Sequence, residues 1–435
     1  MDHTMHTVEA EPPWEHKETP KALQEPIHPK GLLFLILYGI GNMTMGVGNI
    51  AVATVLLPMH ITSLTQSNQT GIFSLILGIG AVAAVLTNPL GGMLSDRTTS
   101  RFGRRRPWLI AGGVLTVVAL LLLAITPSLL AITLEWILLQ IGINLVQVAL
   151  SVILPDQVPV RQRGIVSAFA NGSGFLLGGL LGQILVTEFF KAIPIAYTSI
   201  AVTIAIMLIL FLLVLHDIPL PKEHVPPFHM KQFVSTYWLN PMTYPDFALT
   251  WLASCLTFLG YTTVVNFMFY FLQDVLHYSR LFPGQTTAQG VQTFFAINVG
   301  SIIVASLIAG LLSDKLQRWK VFVIVSSLIM MVGLLLYAFF PTWSMVVIAT
   351  VILGIGYGIF LSVGLALASQ VLPTAIDRGK DIGLINTTLF LPMILSPVLA
   401  GITLGALHSY LVLFSLLAVA SLIAALLIFP IKTVR

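Results

Sequence analysis

Charge is what this chain has least of. Asp, Glu, Lys and Arg make up 9% of its 435 residues, against about 25% in soluble domains, which leaves too little polar surface for a water-soluble globule. A single cysteine, Cys255, excludes an intrachain disulfide and a thiolate metal or redox cluster. No P-loop and no H-E-x-x-H stretch occurs, so nothing points to ATP-driven work, a bound metal or another cofactor. Residues 1–30 carry six acids, several prolines and His3, His6, His16 and His28, and lack the apolar core of a signal peptide. They read as a disordered cytoplasmic tail, with the histidines solvated rather than metal-binding.

Hydrophobic residues, at 57%, are abundant and grouped. A helix needs ~20 apolar residues to cross ~30 Å of hydrocarbon. Runs of that length recur twelve times: near 32–58, 71–95, 106–126, 129–152, 165–187, 193–215, 247–273, 290–313, 319–340, 343–371, 381–405 and 407–429. Backbone polar groups must be satisfied inside lipid, and continuous runs without alternation of period two select helices over a barrel. The expected fold class is an all-α membrane protein with twelve transmembrane helices.

With the N-terminus in the cytoplasm, only Lys191 and Arg280 of the 21 basic residues fall outside. The positive-inside rule therefore places both termini in the cytoplasm of a plasma (inner) membrane and supports the helix count. The net charge of +4 reflects these inner loops and calls for no nucleic-acid partner.

The longest polar interruption is 216–246, rich in proline, and it reads as a cytoplasmic linker between bundles at 31–215 and 247–435. Gly92-Met93-Leu94-Ser95-Asp96 after the second run is echoed by Gly310-Leu311-Leu312-Ser313-Asp314 after the eighth. Arg163-Gly164 with Asn171 is echoed, at nearly the same spacing, by Arg378-Gly379 with Asn386. Two matches at one period indicate a duplicated six-helix unit, an arrangement that places a transporter's solute site between the repeats near mid-membrane.

Gly92-x-x-x-Asp96-Arg97 followed by Gly103-Arg104-Arg105-Arg106-Pro107 resembles the loop signature of the major facilitator superfamily. The lengthened stretch from Ser95 to Pro107, Leu154-Pro155-Asp156-x-x-Pro159 with Arg163-Gly164, and Gly379-Lys380-Asp381-x-Gly383 with Asn386 and Pro392 are similar to the sucrose-carrier and glycoside-pentoside-hexuronide cation symporter branch. The resemblance implies two pseudo-symmetric six-helix bundles and a gating latch between them. Asp96 would face the eleventh helix near Gly379-Lys380, and Asp314 the fifth near Arg163-Gly164. Gly92, Arg97, Gly103, Arg104, Arg105, Asp156, Gly310 and Arg378 complete the candidate latch. A plainer account of Arg104 and Arg105, as positive-inside charges only, stays open.

Gly174, Gly178 and Gly182 in the fifth run, and Gly354 with Gly358 in the tenth, are spaced for close helix approach. No strand precedes them, which excludes a nucleotide loop.

Ionisable groups inside hydrocarbon are expensive. Glu135 is the one acid within an apolar run and has no lysine or arginine inside any span to pair with. Low dielectric then favours its protonated form, which suits proton coupling; a hydrated, inert residue near the outer interface is the alternative. The resemblance agrees, because sucrose and melibiose carriers use an acid on the fourth helix. It disfavours sodium, because residues 71–95 lack the acids melibiose carriers use on the second. Candidate cavity residues are Asn42 and Asn49, then Gln140, Asn144 and Gln147 on one face of the fourth helix, and Tyr261, Asn266 and Tyr270 on the seventh. Hydrogen bonding between helices accounts for each equally well.

The reading expected is a secondary transporter of a sugar or glycoside by alternating access, coupled to protons, with the bilayer as its surroundings. An exporter of drugs or metabolites and a non-transporting receptor are alternatives. An enzyme is not indicated: His60 and His408 are isolated, and Glu135 has no second acid.

Overall fold

A computed structural model describes residues 26–167, 174–189, 192–225, 245–316, 318–370, 388 and 391–431, apart from the side chains at 164, 165, 224, 314 and 365–370. Helices dominate it, and we number the twelve principal ones in chain order. In the first half these are α1 (Leu32–Leu64), α2 (Gln69–Asp96), α3 (Arg106–Leu123), α4 (Leu129–Gln157), α5 (Phe175–Phe189) and α6 (Ile193–Val214). In the second they are α7 (Pro245–Asp274), α8 (Thr287–Leu316), α9 (Trp319–Phe339), α10 (Trp343–Gln370), α11 (Leu391–Ala406) and α12 (Tyr410–Ile428). Ten are long and apolar enough to cross a membrane; α5 and α11 are shorter within the described residues.

The helices pair alike in both halves. α4 packs on α2 and α3, and α6 on α1 and α3; six helices later, α10 packs on α8 and α9, and α12 on α7 and α9. The result is a twelve-helix fold of two pseudo-symmetric bundles, as the duplicated motifs imply.

Missing side-chain bulk sets the closest approaches. A Cβ on Gly178 would overlap the Met43 carbonyl of α1, one on Gly182 would crowd Ala51, and one on Gly46 would overlap the Phe175 carbonyl. In the second half, Gly354 and Gly358 meet the Asn298 and Ile302 carbonyls of α8 at 2.9 and 2.6 Å from their would-be Cβ atoms. Backbones in contact are what small residues four apart permit.

α1 continues past its expected end at 58 because Pro58 does not stop it. Proline lacks an N–H and its ring crowds the carbonyl four residues back. The turn before it, Val47–Leu56, is wound as a wide π-helix, which adds room at that carbonyl. Two further π segments, Leu185–Phe189 in α5 and Gly401–Ala406 in α11, share a location with the first: each touches a helix of the opposite half. α4 likewise runs through Pro155 to Gln157, so Asp156 sits on a helical turn rather than in a loop.

The described ends of the expected tail and linker are held by hydrogen bonds. Lys30 donates to Gln162 Oε1 through its backbone and to Gln157 Oε1 through its ammonium, at 3.0 and 3.4 Å, and burial lowers its pKa. The linker's start is held where Gln157 Nε2 donates to the His216 carbonyl at 2.8 Å. Residues 1–25 and 226–244 lie outside the described residues.

Candidate functional site

The basic loop at the end of α2 is built into the bundle. Arg105 is 2% exposed at its side chain and holds three partners. Its Nε donates to Asp156 Oδ2 at 2.9 Å, Nη2 meets Asp96 Oδ1 at 2.7 Å, and Nη1 donates to Ser95 Oγ at 2.8 Å. Arg104 Nη2 donates to the same Asp156 oxygen at 2.9 Å. Neither arginine is simply a solvated positive-inside charge. Ion pairs taken from water require such geometry, since desolvation otherwise outweighs attraction.

Asp217, just beyond α6, completes this end. Its Oδ2 accepts from the backbone N–H groups of Arg105 and Arg106 at 2.5 and 2.8 Å. Arg163 donates to the carbonyls of Val158 and Pro155 at 2.9 and 3.0 Å, beside Asp156. Gly92 brings α2 to within 3.6 Å of Val148 on α4, measured from its would-be Cβ; its repeat-mate Gly310 on α8 faces Ser362 Oγ on α10 at 2.9 Å. Arg97 caps the end of α2. Thus Asp96, Arg104, Arg105, Asp156 and Arg163 gather at one end of the first half. Asp96 takes a partner, Arg105, within its own half there, and its other expected partner is Gly379-Lys380. That pair, with Arg378, lies outside the described residues, as does the side chain of Asp314.

At the opposite end the halves touch. Gln273 Nε2 of α7 donates to Gln69 Oε1 of α2 at 3.0 Å, Thr187 of α5 donates to Gln292 of α8, and Gln289 reaches Glu188 at 3.5 Å. Beneath them the ring of Phe73 on α2 meets Phe267 edge-on and Tyr270 at a tilt, 5.3 and 5.2 Å between centroids. Tyr270, expected in the cavity, is fully buried in this closure.

The other cavity candidates separate into two kinds. Asn42 and Asn144 are buried and donate to carbonyls of their own helices, Tyr38 and Gln140, at 2.9 and 2.8 Å. Gln140 is buried against Gly80 of α2 with its Oε1 unpaired. Tyr261 stacks on Tyr357, 3.5 Å between centroids, and donates to Asn298 Oδ1 at 3.0 Å; Asn298 donates in turn to the Thr350 carbonyl. By contrast, Asn49 and Asn266 are half-buried and Gln147 is exposed.

Glu135 does not stand alone. It is buried on α4, with the hydroxyl of Thr126, from the connection between α3 and α4, 2.5 Å from Oε1 and with Oε2 unpaired. The Thr126 carbonyl accepts from His60 Nε2 at 3.0 Å, and the His60 ring lies 5.7 Å from that of Tyr197. His60, isolated in sequence, is therefore a neighbour of the acid. Sequence reasoning also missed Asp217, Asn298 and Gln69, single residues in unremarkable surroundings whose partners are distant along the chain.

The model of the Major Facilitator Superfamily matches residues 34–321 and 284–435. The chain belongs to the major facilitator superfamily. It is accordingly a multi-pass membrane protein. It is similar to the general alpha-glucoside permease of Schizosaccharomyces pombe, 24% identical over 181 residues, covering 37% of this chain and 33% of that one; the chain spans about a third of that relative's length. Among solved structures it is similar to a peptide transporter mutant in complex with sulfate, with a TM-score of 0.71 and 15% identity, covering 93% of this chain and 94% of the other. That likeness concerns the fold.

Proposed function

We propose that this superfamily member is a secondary transporter that moves a small hydroxylated solute, a sugar or glycoside, by alternating access. The observation that carries the reading is the closure between the halves. It consists of amide and hydroxyl hydrogen bonds, Gln69 to Gln273 and Thr187 to Gln292, over a pair of aromatic contacts, all of which break without leaving a charge buried. Neutral hydrogen bonds of this kind contribute about 1 kcal/mol each, suited to a gate that opens on solute binding. The partial similarity to an alpha-glucoside permease supports the solute class.

In this reading residues 31–215 and 247–435 move as the two bundles, 216–246 links them, and the basic end lies in the cytoplasm with both termini. Asp96, Arg104, Arg105 and Asp156, with Asp314 and Arg378, make the latch there. Asn49, Gln147 and Asn266 line the solute path. Glu135 is the proton-coupling acid, and no sodium site is invoked.

Uptake of radiolabelled maltose into proteoliposomes tests the reading, with a panel of other glycosides and hexoses beside it. Accumulation above the external concentration under an inward proton gradient is the expected result, lost in Glu135→Gln while maltose exchange persists. Binding without translocation makes the chain a receptor, and uphill accumulation by Glu135→Gln removes Glu135 from the coupling role.

A further inference from the structure

The cluster around Glu135 holds more chemistry than one carboxyl. His60 of α1, Glu135 of α4 and Tyr197 of α6 are each at least nine-tenths buried, and each carries one polar atom without a partner: His60 Nδ1, Glu135 Oε2 and the Tyr197 hydroxyl. Buried polar atoms are nearly always paired, so three unpaired atoms in one cluster mark a place where a hydrogen is exchanged rather than fixed.

Thr126 shows where that hydrogen resides. Its hydroxyl lies 2.5 Å from Glu135 Oε1 and 3.0 Å from the Leu122 carbonyl, and a hydroxyl has one hydrogen to give. A carbonyl only accepts. When Thr126 donates to Leu122, the 2.5 Å contact requires a hydrogen on the Glu135 carboxyl; when Glu135 is ionised, Thr126 turns to it and releases Leu122. The carbonyl of Thr126 also only accepts, so His60 Nε2 carries a hydrogen and, in the neutral ring, Nδ1 is left as a base. An acid with a removable proton and a ring nitrogen with a free lone pair are thus held by one residue.

We propose that His60 and Glu135 form a single proton-binding site, with Thr126 positioning both and the Tyr197 hydroxyl facing the bound proton. The inference rests on the coupling role given to Glu135 above and adds a second titratable group to it. Empty, the site is a carboxylate beside a neutral imidazole; loaded, its one proton rests on the carboxyl or on the imidazole, where the imidazolium balances the carboxylate. Thr126, in the connection between α3 and α4, and Tyr197 of α6 are the other groups facing the pair, and no lysine, arginine or further acid joins them among the described residues. Lys191, ahead of α6, lies outside those residues. The site sits inside the first half, to one side of the seam, so the proton and the solute travel separate paths.

Infrared difference spectroscopy of the full chain in liposomes reads this site without any solute. The protonated-carboxyl band should vanish in Glu135→Gln. In His60→Gln, whose amide still donates to the Thr126 carbonyl, the midpoint of the band should fall by about one pH unit, a tenfold loss of proton affinity, because the second base that helps hold the proton is gone. Tyr197→Phe should move the same midpoint less, and serves with His60→Asn if His60→Gln does not fold. A midpoint unmoved in the histidine variants overturns the pair. If Glu135→Gln still accumulates maltose while the midpoint moves as expected, the coupling role fails and the shared site stands. If accumulation is lost but the midpoint does not move, Glu135 couples alone.

Discussion

The carboxylate of Asp217 occupies the space a Cβ on Gly103 would need. Gly103 has φ +104°, in the left-handed region that side chains avoid, and this turn aims the N–H groups of Arg105 and Arg106 at Asp217. α3 has no side-chain cap of its own at Arg105, so a carboxylate from beyond α6 serves its positive end. Gly103→Ala adds strain and displaces that carboxylate together. It should lower stability by about 1–3 kcal/mol, seen as a depressed Tm in detergent. Asp217→Asn keeps an acceptor and should cost less.

The two acids that hold Arg105 should not respond alike. Asp156 shares one oxygen between two buried guanidinium groups, whereas the Asp96 side chain is 55% exposed and Arg105 keeps Asp156 and Ser95 without it. Asp156→Ala strands buried charge and should cost on the order of 3 kcal/mol. Asp96→Asn should cost below about 1 kcal/mol and leave the protein folded, while shifting it toward states open at the basic end. Thermal melts rank the two variants, and cysteine labelling from the side of the basic loops reads the shift; equal melts would remove the hierarchy.

How much was legible in the sequence follows from the range of each interaction. Helices, their pairing by halves and the glycine seams were readable because apolar runs and four-residue spacings are local. The Arg105 cluster was readable in part, since its loop is a dense motif. Asp217 was not, because an acid opening a proline-rich stretch looks like linker, and its partner Arg105 lies 112 residues away. His60 failed likewise: one histidine near a helix end has no pattern, and only folding brings Thr126 beneath it. The continuation of α1 past Pro58 was hidden because the π turn that accommodates it leaves no mark in composition.

Gln69 and Gln273 join the halves at the end opposite the basic loops. Cysteines at both positions, bridged by a short bifunctional reagent, should hold that end shut and block maltose exchange in proteoliposomes, with recovery on cleavage of the bridge. Full exchange by the bridged protein would show that this end does not gate the path.

Polar side chains along the seam should divide by what they already hold. Tyr261 gives its hydrogen to Asn298, which is fully buried and also donates to Thr350. Tyr261→Phe or Asn298→Ala leaves a buried group unpaired, at a cost of about 1–3 kcal/mol, and should lower Tm. Asn49, Gln147 and Asn266 are half-buried or exposed, so their truncation leaves no buried partner unpaired. Alanine there should change stability by no more than about 0.5 kcal/mol. If they touch the solute, each loses one hydrogen bond to a hydroxyl, about 1 kcal/mol, which is roughly fivefold in apparent affinity. Measuring KM for maltose uptake beside Tm separates the two groups. A raised KM at unchanged Tm for Asn49→Ala, Gln147→Ala and Asn266→Ala places the solute path along them. An unchanged KM in all three would move the path elsewhere on the seam.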